Sequence, residues 1–331
     1  MRRRRTALLA SAVVLLVMTV SVVIVVATVD RAPPPPAPLP PVERLFSADS
    51  PFNERIGPLV QVDRDSAEMV ELMTGEPPTV NVYDDVPPIY DAEPSTPRRH
   101  LPCTMSADWG PCPLDGHLVP VPRNAVPSSG SDDNMVIVDR AAGVAFGFWQ
   151  YRGDRVSWGE VTPLDGPGND PPGATGSGIS RLAGVVRTDE VRRGRIEHAL
   201  VGATGHSYQE FRYPAVKSDG WASMPGCLPE GARLQLDPSV DCEGLPGAPP
   251  IEKMVCRALQ EYGWYNIDNG QRGKPWFGIQ FENPAGEDDP YPAAGVQWDH
   301  MALTAIPWNR LRVLAAWDAH DDGASDGRQG N

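Results

Sequence analysis

The sequence predicts a mainly β protein with a few α-helices: a β-sandwich or jelly-roll-like single domain behind an N-terminal transmembrane helix. Three observations carry that prediction. Proline and glycine number 37 and 32 in 331 residues, so turns are frequent and long uninterrupted helices cannot dominate. Short apolar or aromatic runs bounded by Pro, Gly or Asp recur along the chain, the pattern of many short strands. Near the N-terminus, residues 7–29 carry no charge and only Ser11, Thr19, Ser21 and Thr28 as polar interruptions. As a helix that segment is roughly 34 Å long, enough for a hydrocarbon core of about 30 Å.

Taken in order, residues 1–6 are a basic stretch with Arg2, Arg3, Arg4 and Arg5 ahead of the span. Such a cluster stays in the cytoplasm and sends everything from Asp30 onward outside. The span runs directly into Val29, Asp30 and Arg31 rather than into the small residues of a cleavage site, which reads as an uncleaved signal anchor. The expected location is the cell membrane, single-pass, with the bulk of the chain extracytoplasmic. Residues 30–44 form a Pro-rich linker whose APPPPAPLPP run favours an extended spacer. Residues 45–317 are the expected mainly β domain. Residues 318–331, rich in Asp and Gly, are expected to be a disordered acidic tail.

Within the domain, residues 135–138, 144–151 and 156–161 are apolar runs joined by turn residues at 139–143 and by Gly153-Asp154, which predicts an antiparallel meander. Further strands are expected at residues 79–83, 117–121, 196–201, 233–236, 264–267 and 276–281. A helix is expected over residues 66–74, with Asp65 as N-cap and Gly75 as stop. Another is expected over 251–262, where Ile251, Met254, Val255, Ala258, Leu259 and Tyr262 mark one face. A shorter one is expected near 189–193, capped by Thr188.

Five cysteines suit an oxidising exterior. The simplest pairing is two local staples, Cys103 with Cys112 and Cys227 with Cys242, leaving Cys256 unpaired inside its helix; spacing alone leaves the connectivity open. No C-x-x-C or compact Cys/His group occurs, so no metal is expected, and no cofactor. The net charge is −14, to which the first 31 residues contribute +4, leaving −18 on the other 300. A surface so acidic repels phosphate, which argues against nucleic acid as a partner.

Familiar signatures are missing. The GATGSG run at residues 173–178 lacks a following Gly-Lys-Ser/Thr, and Ser177 and Ser180 both fail G-x-S-x-G. Paired carboxylates remain, because glycan cleavage uses two of them across a sugar. Asp268 ends an apolar strand and is followed by Asn269 and Gly270; Glu282 ends the next apolar run; Asp219 lies in the Ser218-Asp219-Gly220-Trp221 loop. If neighbouring strands bring Asp268 and Glu282 to one rim, they form an acid and base. His198 reads either as a general base, the choice of a lyase, or as a hydrogen-bonded histidine at a sheet margin. Nine tryptophans include Trp109, Trp158, Trp221 and Trp298 in loops beside acids, suited to stacking on sugars, while Trp149, Trp264, Trp276 and Trp308 are expected in the core.

Nine segments stand out together: SPFN at residues 50–53, Ser131-Asp132 leading into MVIVD, Phe148-Trp149-Gln150, TGSGISRLAG at 175–184, RIEHAL at 195–200, Tyr213-Pro214-Ala215, Ser218-Asp219-Gly220, LPEGARLQLDPS at 228–239, and the stretch from Ala258 to Gly270. In this order they resemble a family of secreted or membrane-anchored actinobacterial proteins. The resemblance implies an exported domain with one fold over about residues 50–313. It also implies a site near Asp132, Ser177, His198, Asp219 and Asp268, with Gln150 in one of its segments. Where the family pattern has Gly-His after the aspartate of Ser-Asp, this chain has Asp133 and Asn134. Argued from the outward topology, the Pro spacer, the short strands, the rim acids and the loop tryptophans, the expected function is binding of an envelope or extracellular polysaccharide, extended to cleavage, by a glycoside hydrolase or polysaccharide lyase, if the candidate acids converge. Asp268, Glu282, Asp219 and His198 are the catalytic candidates, and Asp132, Gln150, Ser177, Trp221 and Asn269 the ligand-binding ones. The alternative is a non-enzymatic surface module that binds glycan or protein.

Overall fold

A computed structural model describes residues 44–316, apart from Glu287. The expected basic stretch, membrane span, nearly all of the Pro-rich linker and the acidic tail lie outside the described residues. No helix among those described is long and apolar enough to cross a membrane. The fold is mainly β, 26% strand and 14% helix, in several sheets.

The strands in chain order are β1 (Thr79–Asn81), β2 (Ile89–Asp91), β3 (Arg98–Arg99), β4 (Val119–Pro120), β5 (Met135–Asp139), β6 (Val144–Trp149), β7 (Trp158–Pro163) and β8 (Leu200–Thr204). They continue with β9 (Ser207–Phe211), β10 (Leu228–Glu230), β11 (Arg233–Leu236), β12 (Trp264–Asn269), β13 (Gly278–Gln280), β14 (Met301–Ala302) and β15 (Leu311–Val313). The helices are α1 (Ser66–Met73), α2 (Ser106–Trp109), α3 (Thr188–Arg193), α4 (Pro250–Glu261) and α5 (Tyr291–Ala294).

The predicted meander is present as β5–β6–β7, and β2 adds to it in parallel to complete one four-stranded sheet, β2–β5–β6–β7. Every residue of β5 is buried, and the period of two explains how. Val136 and Val138 face one apolar cluster, while Met135 and Ile137 face another. The second four-stranded sheet is β15–β11–β12–β8, in which β8 and β12 run parallel. Tyr265 and Ile267 of β12 and Val201 of β8 join Val136 and Val138 in one shared cluster, so the two sheets bury a common core. Smaller sheets are β13–β1–β14, β10–β9 and β3–β4.

Helix α4 covers the opposite side of the second sheet. Its stripe Ile251, Met254, Val255, Ala258 and Leu259 packs with Leu200, Leu234, Leu236 and Trp264, as the helical spacing predicts, whereas Tyr262, the sixth residue expected in the stripe, caps the helix and packs in the core shared by the two sheets. Proline at its first position suits a helix start, where the missing N–H would be unpaired in any case.

Three expectations are corrected here. The segment expected as a strand over residues 196–201 instead enters the sheet at Leu200, because residues 195–199 are held elsewhere: Ala199 N–H donates to the Phe52 carbonyl and His198 bonds Glu190 of α3. Cys103 and Cys112 are bonded, with Cα atoms 6.1 Å apart, but Cys242 pairs with Cys256 (5.7 Å) and Cys227 is the buried free thiol. The loop after β11 folds back on α4, where Gln260 Nε2 donates to the carbonyls of Asp237 and Val240 and so brings Cys242 beside the helix. Finally, β12 and β13 are not neighbours: β12 pairs with β11 and β8, and β13 with β1.

Candidate functional site

Asp268 is positioned by an irregularity in β12. The pairing with β8 shifts register between Asn266 and Asp268, so Ile267 stays in the core while the next side chain is re-aimed at the sheet rim. Main-chain anchoring is close by. Ser207 Oγ donates to the Asp268 carbonyl (3.0 Å), and Asn266 Nδ2 donates to Ser207 Oγ (3.0 Å). The Asp268 carboxylate Oδ1 accepts the Asn269 N–H at 2.9 Å.

Asp219 arrives from the loop between β9 and β10. Ser218 Oγ accepts the Gly220 N–H (2.9 Å) and donates to the Tyr208 carbonyl (3.2 Å), a tight side-chain turn that fixes the loop. Asn269 Nδ2 then donates to Asp219 Oδ1 at 2.6 Å and to its carbonyl at 3.1 Å. The Asp-Asn-Gly turn therefore has two uses: its Asp enters the site and its Asn holds the second carboxylate.

Gly176 is the floor on which the two meet. A Cβ placed there would lie 2.3 Å from Asp219 Oδ1 and 2.9 Å from Asp268 Oδ1. The two oxygens are thus no further apart than the sum of those distances, about 5 Å, which is short of the roughly 6.5 Å or more that a pair acting with a water between them needs. No larger residue fits without displacing them. The GATGSG run that carries Gly176 is knitted to both partners, with Ser177 N–H donating to the Ile267 carbonyl (3.0 Å) and Val216 N–H to the Ser177 carbonyl (2.9 Å). Glu160 of β7, wholly buried, secures the far end by accepting from Ser180 Oγ (2.7 Å), the Arg181 N–H (2.9 Å) and the Ala174 N–H.

A third carboxyl, Glu230 at the end of β10, lies fully buried against Asp219, which meets it with both its side chain and its main chain. Two ionised carboxylates cannot hydrogen-bond each other; one must keep the proton. Burial, the contact with Asp219, and the charges of Asp219 and Asp268 raise Glu230 to about 10. Asp268 is raised to about 7 by burial and by the charges of Asp219 and Asp132, with Arg181 pulling the other way. The cluster thus contains a neutral carboxylic acid, a group that exchanges its proton near neutrality, and an exposed carboxylate.

The remaining candidates divide. Asn269 belongs to the site. Ser177 is near it but fully buried, its hydroxyl 3.0 Å from Thr175 Oγ1, and serves the loop. Asp132 accepts the Trp149 Nε1–H at 3.0 Å, and Gln150, with φ of 53°, donates its N–H to the Asp132 carbonyl. The Gln150 side chain is bonded to Ser157 and Ser131. Asn134, at the position where the resemblance places His, is wholly buried and donates to the Asp85 carbonyl (2.8 Å). Trp221 is partly exposed, flanked by the His206 ring at 6.2 Å and by Arg272 at 5.9 Å.

Glu282 and His198 are a separate story. Glu282 Oε2 accepts from Arg187 Nε and the Thr188 N–H, each at 2.9 Å, at the start of α3. His198 Nε2 is 2.8 Å from Glu190 Oε2 and its Nδ1 is 2.9 Å from the Ala199 carbonyl. Burial disfavours charge on His198, but the Glu190 carboxylate outweighs it and raises the imidazole pKa. His198 and Glu190, with Arg187, flank a cavity of about 100 Å³ lined also by Phe46, Phe52, Asn53 and Leu182. Asp268 and Glu282 are therefore not the expected pair. Among the described residues, Asp84, Asp299 and His300 could offer ligand atoms within 4.8 Å of one another, yet the Asp299 carboxylate already accepts the N–H groups of Val82 and Asp84 and reads as a turn cap.

Sequence reasoning missed Glu230. Its only signal is an acid wedged between Pro229 and Gly231 in an otherwise apolar stretch. Comparison with protein-family models, with curated proteins and with solved structures finds no match, so the site is read from its own geometry.

Proposed function

We propose that the chain is a membrane-anchored extracytoplasmic domain that binds and cleaves an envelope or extracellular polysaccharide, with Asp268 as general acid and Asp219 as its carboxylate partner. The observation that carries this reading is the convergence of the two carboxyls over Gly176. Asp268, poised near neutrality, gives its proton to the departing glycosidic oxygen. Asp219, which accepts two hydrogen bonds from Asn269 Nδ2 and faces Glu230, attacks the sugar centre left behind, and water deprotonated by Asp268 then hydrolyses the glycosyl-enzyme, freeing Asp219 and returning the proton to Asp268. Their short separation favours the double-displacement route, which retains anomeric configuration. The disulfides support an oxidising setting outside the cytoplasm, and the core shared by the two four-stranded sheets supports a sandwich-like scaffold. Trp221 beside Asp219 favours a glycan-binding module as the second reading, in which the same surface binds without turnover.

The test is release of reducing ends from isolated cell walls by the full chain and by Asp268→Asn and Asp219→Asn. Each substitution is expected to lower the rate roughly 10²- to 10⁴-fold, with anomeric configuration retained in the unsubstituted chain. An unchanged rate in Asp268→Asn would refute the acid assignment, and binding without any product would leave the module.

A further inference from the structure

Trp109 is not used by the chemistry above, yet it is unusually well mounted. It ends α2, inside the loop closed by Cys103 and Cys112. That loop is tied to the meander by Thr104 N–H to the Val156 carbonyl (2.9 Å) and Met105 N–H to the Ser157 carbonyl (3.1 Å). The indole is 51% exposed. Beneath it Trp149 lies 5.8 Å away at an interplanar angle of 22°, and Trp158 meets it edge-on at 5.4 Å. A large apolar ring is thus held flat and rigid in water, where burying its outer face would be favourable.

The platform is joined to the carboxyl pair. Trp149 donates its indole N–H to Asp132, and Ala174 belongs to the apolar cluster of Trp158 against which Trp149 packs. Two residues further on, Gly176 touches both Asp219 and Asp268, and two residues of chain span at most about 7 Å. The other exposed tryptophans among the described residues are placed differently. The Trp221 ring has His206 and Arg272 beside it, and Trp298, 61% exposed, sits next to the Asp299 cap at the end of β1.

We infer that Trp109 is a stacking platform for a sugar ring of the same glycan chain, at a subsite removed from the bond cut between Asp219 and Asp268; the inference rests on the polysaccharide reading above. The apolar CH face of the ring covers the indole, and Trp149 and the disulfide keep the platform from rotating away.

The test is gel retardation of the full chain, in detergent and carrying Asp268→Asn so that nothing is hydrolysed, by dextran, arabinan, galactan and chitosan. Trp109→Ala is expected to weaken retention by at least one of them about 3- to 10-fold, Trp109→Phe to keep most of it, and Trp298→Ala to leave it unchanged. Equal retention in Trp109→Ala and its parent, an equal loss in Trp298→Ala, or no retardation by any of the four would overturn the inference. Trp109-dependent retention in a chain that releases no reducing ends would instead remove the acid and base assignment alone.

Discussion

Replacing Glu230 with Gln should stabilise the folded protein at neutral pH and flatten the pH dependence of its stability. Folding raises this carboxyl from its ordinary 4.5 to about 10. Across that interval the folded chain holds a proton that the unfolded chain has released. The sign follows from linkage: the unfolded state binds fewer protons, so stability is greatest below pH 4.5 and falls as pH rises toward the folded value. Each pH unit is worth about 1.4 kcal/mol, so Glu230 alone removes about 3 kcal/mol between pH 4.5 and 7. Glutamine has nearly the same shape and offers Asp219 an N–H where the neutral acid offers an O–H, so the swap removes the titration with little other change. Denaturant unfolding of both chains with disulfides intact, followed across this interval, should show a stability difference near zero at the acid end that grows to about 3 kcal/mol at pH 7. Parallel curves for the two chains would refute the argument, because they would mean that Glu230 ionises in the folded state as freely as in the unfolded one.

Two other perturbations have definite outcomes. Cys242→Ser, Cys256→Ser and the double substitution should each cost about the same, roughly 3 kcal/mol for a closed loop of this size, and thiol labelling of the unfolded, unreduced chain should mark Cys227 alone; label on Cys256 would contradict the pairing. His198→Gln should destabilise most between about pH 4.5 and 6.5, because the raised histidine loses its contribution as pH rises through its folded value and the lowered Glu190 loses its own as pH falls. The same substitution should leave glycan cleavage intact, and a pH-independent cost would show that the pair is not ionised.

What could be read from the sequence, and what could not, follows the range of the physics involved. The meander was legible because its determinants are local: alternating apolar runs and turn residues a few positions apart. The α4 stripe was legible for the same reason, and so was Asp268, since an acid at the end of an apolar strand before Asn-Gly marks a rim. Pairing between distant segments was not. Glu282 follows the next apolar run after Asp268 and so looked like its neighbour, but β13 pairs with β1, about 200 residues earlier, and Arg187 claims its carboxylate. Cys256 looked like core because it lies within a helix that packs on a sheet, and it is buried; nothing in helical periodicity says that the preceding loop folds back to reach it. Glu230 was hidden for a deeper reason. A lone acid in a short strand is ordinarily turned to solvent, and only the tertiary fold, by burying it against Asp219 and near Asp268, converts it into a neutral group. The residue least visible in the sequence is therefore the one whose charge state depends most on the fold, which makes its titration the sharpest check on the site as a whole.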